Sequence, residues 1–427
     1  MTAARNGRWA AFAVPMVLAG TLTGGGGAIA QEPSVSPELA AQVAEVIGQA
    51  EVVRQLERTA EVPWRLAEAG AALAEQLDKA LADPELVDRV RQDERILIRL
   101  GLLPAGTDLI QLQIDTLQAQ VAGFYDPDTR SLTVIDPDGE LDLASRITLA
   151  HEAGHALQDQ RWNLQAMQDA VPRVEGDRAS ALQALVEGDA TLLMTLWAAK
   201  HAAGDLLGLD GAGLPGGESL DGLPQVLQRQ LLFPYLDGLT FLMRAWGPGG
   251  WDAVDAIWDA PPVSSEQVMH PELYPDELPV EVALPDLAAA MGEGWKLSGE
   301  TTMGELTTGI WVADGAEWDP MAFSLGGQSM PNGQAAAGWG GDRLVTLDGP
   351  DGQWVLAWQT DWDTPDDAAE YLAAADSAMQ DLPGAWTVLE TDLTGDGLAS
   401  PVLVMIADDQ ATLDAAIDAV LGTTIGA

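Results

Sequence analysis

The chain has 427 residues with 66 Asp or Glu, 20 Lys or Arg and no Cys, and its formal net charge is −46 at pH 7. A surface this acidic repels phosphate groups, which argues against nucleic-acid partners and against binding to anionic membranes. The lack of Cys excludes disulfides, thiolate metal sites and cysteine nucleophiles, so the chemistry must come from His, carboxylates and hydroxyl groups.

The first 30 residues have the pattern of a secretory signal peptide. Arg5 and Arg8 are followed by an apolar run from Trp9 to Leu22, and Ala28-Ile29-Ala30 matches a small-x-small cleavage site. The apolar run is too short for a stable membrane-spanning helix. The sequence therefore predicts a protein that is secreted or located in the periplasm or cell envelope, without stable membrane insertion once the signal is removed.

Hydrophobic periodicity predicts a mostly helical α+β protein with three parts beyond the signal. These are an N-terminal helical region (31–105), a central domain (106–290) and an acidic α+β module (300–427). In chain order, the predicted elements are helices within 36–100, a helix ending near 118, strands at 121–125 and 131–135, helices at 141–162 and 179–203, a Gly-rich loop at 203–222, helices at 223–246 and 250–259, an irregular Pro-rich segment at 261–279, strands at 343–347 and 354–360, a helix at 365–379, a strand at 401–406 and a helix at 411–421.

One motif carries most of the functional information. His151-Glu152-Ala153-Gly154-His155 has the form H-E-x-x-H and lies on the helix predicted at 141–162. Residues four apart share one face of a helix, so both imidazoles can reach a single metal ion, and Glu152 is placed to act as a general base. Apolar residues flank the motif, which indicates a buried helix. The motif therefore predicts a metal site, with Zn²⁺ as the cofactor.

A catalytic zinc ion takes a third protein ligand, and here a carboxylate is expected. Glu187 lies in the apolar stretch Leu185–Ala190, where Gly188 and Ala190 would let another helix approach closely. Glu175 is the alternative, although acidic residues are common at a helix start for capping reasons alone. We predict Glu187 as the ligand and keep Glu175 open.

With His151, His155 and Glu187, the chain resembles the gluzincin zinc metallopeptidases, in which two His and a downstream Glu bind zinc. The strand at Ser131–Ile135 is similar to the edge strand that holds peptide substrates in that group. More narrowly, about residues 90–275 resemble a secreted, largely uncharacterised bacterial metallopeptidase group. The stretches that carry this likeness are Leu100–Pro104, Gln120–Pro127, Ala156–Gln160 and Pro261–Pro271. The resemblance implies a zincin-like catalytic domain over 106–290, with the short sheet before the H-E-x-x-H helix.

The chain departs from one part of that pattern. Thermolysin-like relatives carry an Asp four residues after the ligand Glu, and this Asp orients a zinc-bound His. Thr191 stands there in this chain, and the sequence is closer to the Glu-Gly-x-Ala pattern of aminopeptidase-type gluzincins. Asp189, Asp177 and Asp159 are the candidates for the orienting role.

A peptidase also needs a donor for the oxyanion of the tetrahedral intermediate. His270, in the Pro-rich segment, is the first candidate for this catalytic role, and Tyr235 and Tyr274 are the others. His201 ends a predicted helix, where its charge suits the helix dipole.

These observations predict a secreted zinc-dependent metallopeptidase that hydrolyses peptide or protein substrates, with Glu152 as the base that activates water. Two alternatives stay open. One is a non-catalytic, zinc-stabilised binding protein of the cell envelope. The other is metal-dependent amidohydrolysis of a non-peptide substrate.

None of the catalytic roles requires the large negative charge. We interpret it as a halophilic solvation property, because concentrated salt screens the repulsion between surface carboxylates. The unfolding temperature should therefore rise with added salt in a thermal melt, and maximal stability at low salt would contradict this interpretation.

Overall fold

The computed structural model describes residues 35–118, 123–135, 141–203, 222–313, 333–393 and 397–425. The signal peptide predicted over 1–30 lies outside the described residues, as does nearly all of the Gly-rich loop predicted at 203–222. In the described part of the chain, no helix is both long enough and apolar enough to cross a membrane.

The first part of the chain is mainly helical and contains a small sheet. Its elements in order are α1 (Pro37–Arg54), β1 (Trp64–Ala67), α2 (Ala69–Leu81), α3 (Pro84–Arg99), α4 (Leu109–Gln118), β2 (Gly123–Asp126), β3 (Ser131–Ile135), α5 (Leu143–Trp162), α6 (Leu164–Asp169), α7 (Gly176–His201), α8 (Gln225–Asp259), α9 (Ser265–Met269) and α10 (Leu287–Met291).

The second part is an α+β unit. Its elements are β4 (Lys296–Thr301), α11 (Gly304–Trp311), a 3₁₀ turn (Gly333–Ala336), β5 (Trp339–Asp348), a second 3₁₀ turn (Pro350–Gly352), β6 (Trp354–Trp362), α12 (Pro365–Met379), β7 (Ala385–Leu389), β8 (Val402–Ala407) and α13 (Gln410–Ile425). The predicted α+β class with mostly helical content is confirmed.

The small sheet has the order β1-β3-β2. Strand β3 lies in the centre, with Leu132 opposite Trp64 of the parallel strand β1 and opposite Tyr125 of the antiparallel strand β2. The expectation that Ser131–Ile135 is an edge strand is therefore wrong, because partners occupy both of its sides. Strand β1 was not predicted, since four residues show no reliable alternation and their pairing comes from a strand far along the chain.

Helices α1, α5, α7 and α8 share one hydrophobic core. Helix α7 is buried on nearly all sides between Gly176 and Met194, as expected for a helix surrounded by other elements. Helix α8 joins the two helices predicted at 223–246 and 250–259, and Gly250 at its kink has a φ of 62°. The core residues of the N-terminal region and the central domain thus belong to the same cluster.

The second sheet has the order β4-β5-β6-β8-β7 and is antiparallel throughout. The predicted pairing of 343–347 with 354–360 is confirmed, since Arg343 lies opposite Gln359 in the β5–β6 register. Trp339, Trp358 and Trp362 are fully buried beneath α12 and act as core residues.

Candidate metal centre

Helix α5 presents both histidines of the motif on its buried face. Asp142 caps the helix by accepting a hydrogen bond from the Ser145 N–H at 2.7 Å, and Asn163 ends it in the left-handed conformation. The helix spans 143–162, close to the predicted 141–162, and His151 and His155 lie one turn apart in its middle.

Two close helix crossings bring Glu187 to this face. A Cβ on Gly154 of α5 would lie 3.4 Å from the Ala190 Cα of α7. On the other side of α7, a Cβ on Gly188 would lie 2.5 Å from the backbone carbon of Gly238 in α8. The predicted close approach at Gly188 and Ala190 is confirmed. At Gly188 a larger residue would strike the backbone of α8, whereas at Gly154 an added Cβ would press on the Leu193 side chain, 3.0 Å away.

The three predicted ligands converge on one point. His151 Nε2 lies 3.1 Å from His155 Nε2 and 3.1 Å from Glu187 Oε2. The third edge of this triangle, from His155 Nε2 to Glu187 Oε2, is 3.4 Å. All three side chains are buried.

This triangle has the dimensions of one face of a metal tetrahedron. Zinc bonds of about 2.0–2.1 Å in tetrahedral geometry place neighbouring ligand atoms about 3.3–3.4 Å apart. Two imidazole nitrogens and a carboxylate oxygen also form a donor set that zinc favours over calcium or magnesium. Among the described residues, His151, His155 and Glu187 form the group that can hold an ion here, so a fourth position is left for water or substrate.

The alternative ligand Glu175 lies elsewhere. It precedes α7, and its Oε1 accepts a hydrogen bond from Arg343 of β5 at 3.2 Å. Because its carboxylate links α7 to the second sheet, Glu175 does not join the cluster, and the geometry favours Glu187.

Glu152 is anchored beside the ligands. Its Oε2 accepts a hydrogen bond from the Tyr125 N–H of β2 at 2.8 Å. Burial raises the pKa of the Glu152 carboxyl above its usual range, although the nearby imidazoles of His155 and His151 oppose the shift. A carboxyl with a raised pKa accepts and returns a proton more readily near neutral pH.

Gln158 orients His155, a role that the sequence analysis did not assign. The Gln158 amide Nε2 donates to the Val186 carbonyl at 3.1 Å, so its Oε1 must face the 2.9 Å contact with His155 Nδ1. A carbonyl can only accept, which fixes this orientation of the amide. When His155 is neutral, this contact places its proton on Nδ1, so that Nε2 could bind a metal. The i, i+3 spacing of His155 and Gln158 was the available sequence signal.

The three predicted orienting residues have other partners. Asp159 accepts hydrogen bonds from Tyr125 Oη and the Leu164 N–H. Asp177 accepts from the Ser265 N–H, and Asp189 pairs with Arg54. The prediction was wrong for all three, because their partners come from segments whose position the sequence did not reveal.

Replacing Gln158 with Ala should weaken zinc binding by about 10–100-fold while the fold is retained, since the His155 tautomer would no longer be fixed. Competition with a chromophoric chelator measures the affinity. The matched control is Gln111→Ala on the exposed face of α4, and equal affinities for the two variants would contradict the assignment.

The cluster holds a proton that any bound metal ion would have to displace. Burial opposes a charged imidazolium, but the Glu187 carboxylate outweighs it and raises the pKa of His155 to about 9. Burial likewise disfavours an ionised Glu187, yet the facing imidazoles hold its pKa below the usual range. At neutral pH the pair is therefore an imidazolium and a carboxylate.

Zinc binding should therefore release a proton. Below about pH 9, where His155 of the metal-free protein is protonated, the apparent zinc affinity should fall by about tenfold per pH unit. Calorimetry in buffers of different ionisation enthalpy counts the released protons. An affinity that does not change between pH 7 and pH 9 would contradict this picture of the cluster.

Tyr235 lies beside the cluster, whereas His270 is engaged elsewhere. The Tyr235 ring centroid is 6.1 Å from that of His151, and its hydroxyl donates to Glu187. His270 Nε2 instead pairs with the buried Glu305 of α11 at 2.9 Å. This contact gives His270 a partner in the second part of the chain, so the geometry favours Tyr235 over His270 as the donor.

The remaining candidates also have local partners. The Tyr274 hydroxyl donates to the Ala260 carbonyl at 2.6 Å. His201 ends α7, as predicted, and its ring lies 5.7 Å from that of Trp197. These contacts fit structural roles.

Comparison with known protein families finds a match in the C-terminal part of the chain. Residues 295–416 match a family described as a domain of unknown function (DUF8575). The matched segment contains the five-stranded sheet and ends within α13, and it includes none of the residues at the candidate metal centre. No curated protein and no solved structure shows a significant match to the chain.

Proposed function

We propose that this chain is an exported, gluzincin-type zinc metallopeptidase that hydrolyses peptide bonds. The observation that carries the proposal is the convergence of His151, His155 and Glu187 on one point, with Glu152 anchored beside them. The proposal has two further parts. The helical part of the chain would have a zincin-like fold, and a signal peptide over 1–30 would direct export.

The metal ion and the protein side chains would have separate roles in hydrolysis. A bound zinc ion would supply Lewis acidity, which polarises the scissile carbonyl and makes water a stronger nucleophile. The Glu152 carboxylate would take the proton of the attacking water and deliver it to the leaving amine nitrogen. The Tyr125 N–H fixes one oxygen of Glu152, which leaves the other oxygen for this proton transfer.

Tyr235 would stabilise the developing oxyanion. Its hydroxyl donates to Glu187 in this structure, which holds the ring beside the ligands. Burial, followed by the charges of Glu187 and Glu152, raises the pKa of Tyr235 well above its usual range. The hydroxyl therefore keeps its proton and can donate it in a hydrogen bond.

Strand β2 is better placed than β3 to guide an extended substrate. It is one of the two edge strands of the small sheet in the described residues, and its Tyr125 N–H donates to Glu152. A peptide lying along this edge would pass the general base, as strand-addition recognition requires.

The presence of three protein ligands, and not four, favours a catalytic metal site over a purely structural one. Structural zinc sites are usually closed by four protein ligands, whereas catalytic sites keep one position open. The described residues supply three ligands at this point, and the buried Glu152 next to them serves no purpose in a structural site.

A mixed peptide library tests the proposal. Zinc-loaded protein should cleave a subset of peptides, chelation should stop the cleavage, and added zinc should restore it, as followed by mass spectrometry. Absence of any cleavage by the zinc-loaded protein would favour the binding-protein alternative, and cleavage that persists after chelation would exclude a metal mechanism.

A further inference from the structure

Three carboxylates far from the candidate metal centre in sequence meet where the helical part contacts the second sheet. Glu266 lies in α9, Glu277 in the irregular segment after it, and Asp363 directly after β6. One carboxylate oxygen from each lies within 4.8 Å of the others. The group therefore joins two parts of the fold, and the proposed peptidase mechanism makes no use of it.

The carboxylate of Glu266 is buried in an environment where a cation would stabilise its negative charge. Its side chain is only 2% exposed, and within the described part of the chain its carboxylate makes no hydrogen bond. The largest electrostatic effects of charged neighbours on Glu266 come from the carboxylates of Glu305, Glu277, Asp363 and Asp177. One of these, Glu305, is itself paired with His270. A buried carboxylate that lies among several other carboxylates is costly unless a proton or a cation neutralises it.

The titration behaviour agrees with this geometry. Burial, together with the charges of Glu305 and Glu277, raises the pKa of Glu266 to about 9. Burial and the neighbouring Glu277 and Asp367 raise the pKa of Asp363 to about 6. Without a cation, the cluster thus retains protons at pH values where exposed carboxyls are ionised.

The backbone around the cluster is held in place. Ser264 caps α9 by accepting the Gln267 N–H at 3.2 Å, and the Gln267 side-chain amide donates to the Glu277 carbonyl at 2.6 Å. The Asp363 N–H donates to the Gly338 carbonyl at 2.9 Å. These bonds fix the segments that carry the carboxylates, so little ordering would be needed on binding.

We propose that Glu266, Glu277 and Asp363 bind a calcium ion that fastens the second sheet to the helical part of the protein. All donors are carboxylate oxygens, which hard cations prefer and which lack the nitrogen or sulfur that favours zinc. Calcium accepts irregular sets of oxygen ligands at about 2.3–2.6 Å and completes them with water, whereas magnesium demands a tight octahedron. Asp363 is exposed and Glu277 half-buried, which gives the ion and its water a path from solvent.

Calcium titration of the zinc-loaded full chain, stripped of other divalent cations, tests this proposal by calorimetry and thermal unfolding. We expect one calcium per chain with a Kd of about 1 mM or tighter and an unfolding temperature that rises by about 3 °C or more at saturation. Asp363→Asn removes one ligand charge at an exposed position and should weaken binding by about tenfold or more. The matched control Asp366→Asn, in the exposed first turn of α12, should bind calcium like the wild type.

Three results would overturn the proposal. They are no heat of binding and no thermal shift with calcium, equal calcium affinity in Asp363→Asn and wild type, and an equal thermal shift with the same concentration of magnesium. The first would mean that protons alone neutralise the cluster. The assay reads calcium binding and not hydrolysis, so its outcome is independent of the proposed peptidase function.

Discussion

Replacing Glu152 with Gln is expected to lower peptide hydrolysis by about 10²–10⁴-fold, the usual contribution of a general base, while zinc remains bound. The amide has nearly the same shape and can still accept the Tyr125 N–H that holds Glu152 in place. It cannot, however, take a proton from water. Initial rates on a cleaved library peptide measure the loss, and elemental analysis of the same samples measures zinc.

Glu175→Gln is the matched control for this prediction. Glu175 pairs with Arg343 outside the cluster, so this variant should keep both zinc and wild-type turnover. Turnover near the wild-type value in Glu152→Gln would refute the assigned base, and zinc loss in Glu175→Gln would revive the alternative ligand.

Replacing Arg54 with Ala is expected to lower the free energy of unfolding by about 3–5 kcal/mol. Arg54 and Asp189 are each 1% exposed, and Arg54 Nε lies 2.7 Å from Asp189 Oδ1. The guanidinium also stacks 4.2 Å from the Trp251 ring centroid, and Trp258 Nε1 donates to Asp189. The variant would leave the Asp189 charge buried with one neutral donor, which is the costly outcome.

Urea unfolding measures this loss, with Arg244→Ala as the control. Arg244 pairs with Glu272 on the surface, where such a pair contributes about 0–1 kcal/mol. Replacing Arg54 and Asp189 together with apolar residues should recover much of the stability. A loss below about 1 kcal/mol for Arg54→Ala would contradict the role of this pair in joining α1 to α7.

Local patterns predicted much of the candidate site. The spacing of His151 and His155 needs only helix geometry, and α5 has nearly the predicted bounds. The choice of Glu187 and the close approach at Gly188 followed from small, apolar neighbours, because such residues mark a buried helix crossing. The hairpin around Asp348 and the helix at 365–379 were also confirmed, since their turn and capping residues are local.

Long-range pairings could not be predicted in the same way. Asp189 has the sequence neighbours of an orienting residue, but its partner Arg54 lies 135 positions away. Strand β3 was expected to be an edge strand, but β1 pairs with its second side. His270 was expected to donate to the oxyanion, but it pairs with Glu305 of α11. In each case the deciding partner comes from another part of the chain, and the sequence carries no local sign of it.

The proposed function requires that one metal ion at His151, His155 and Glu187 makes the protein an active hydrolase. A zinc titration of the chelator-stripped protein, with bound zinc and peptide hydrolysis measured in the same samples, tests it most directly. We predict that both quantities rise together and level off at about one zinc per chain, and that Glu187→Ala shows neither. Hydrolysis without zinc, or full zinc binding by Glu187→Ala, would contradict the proposed function.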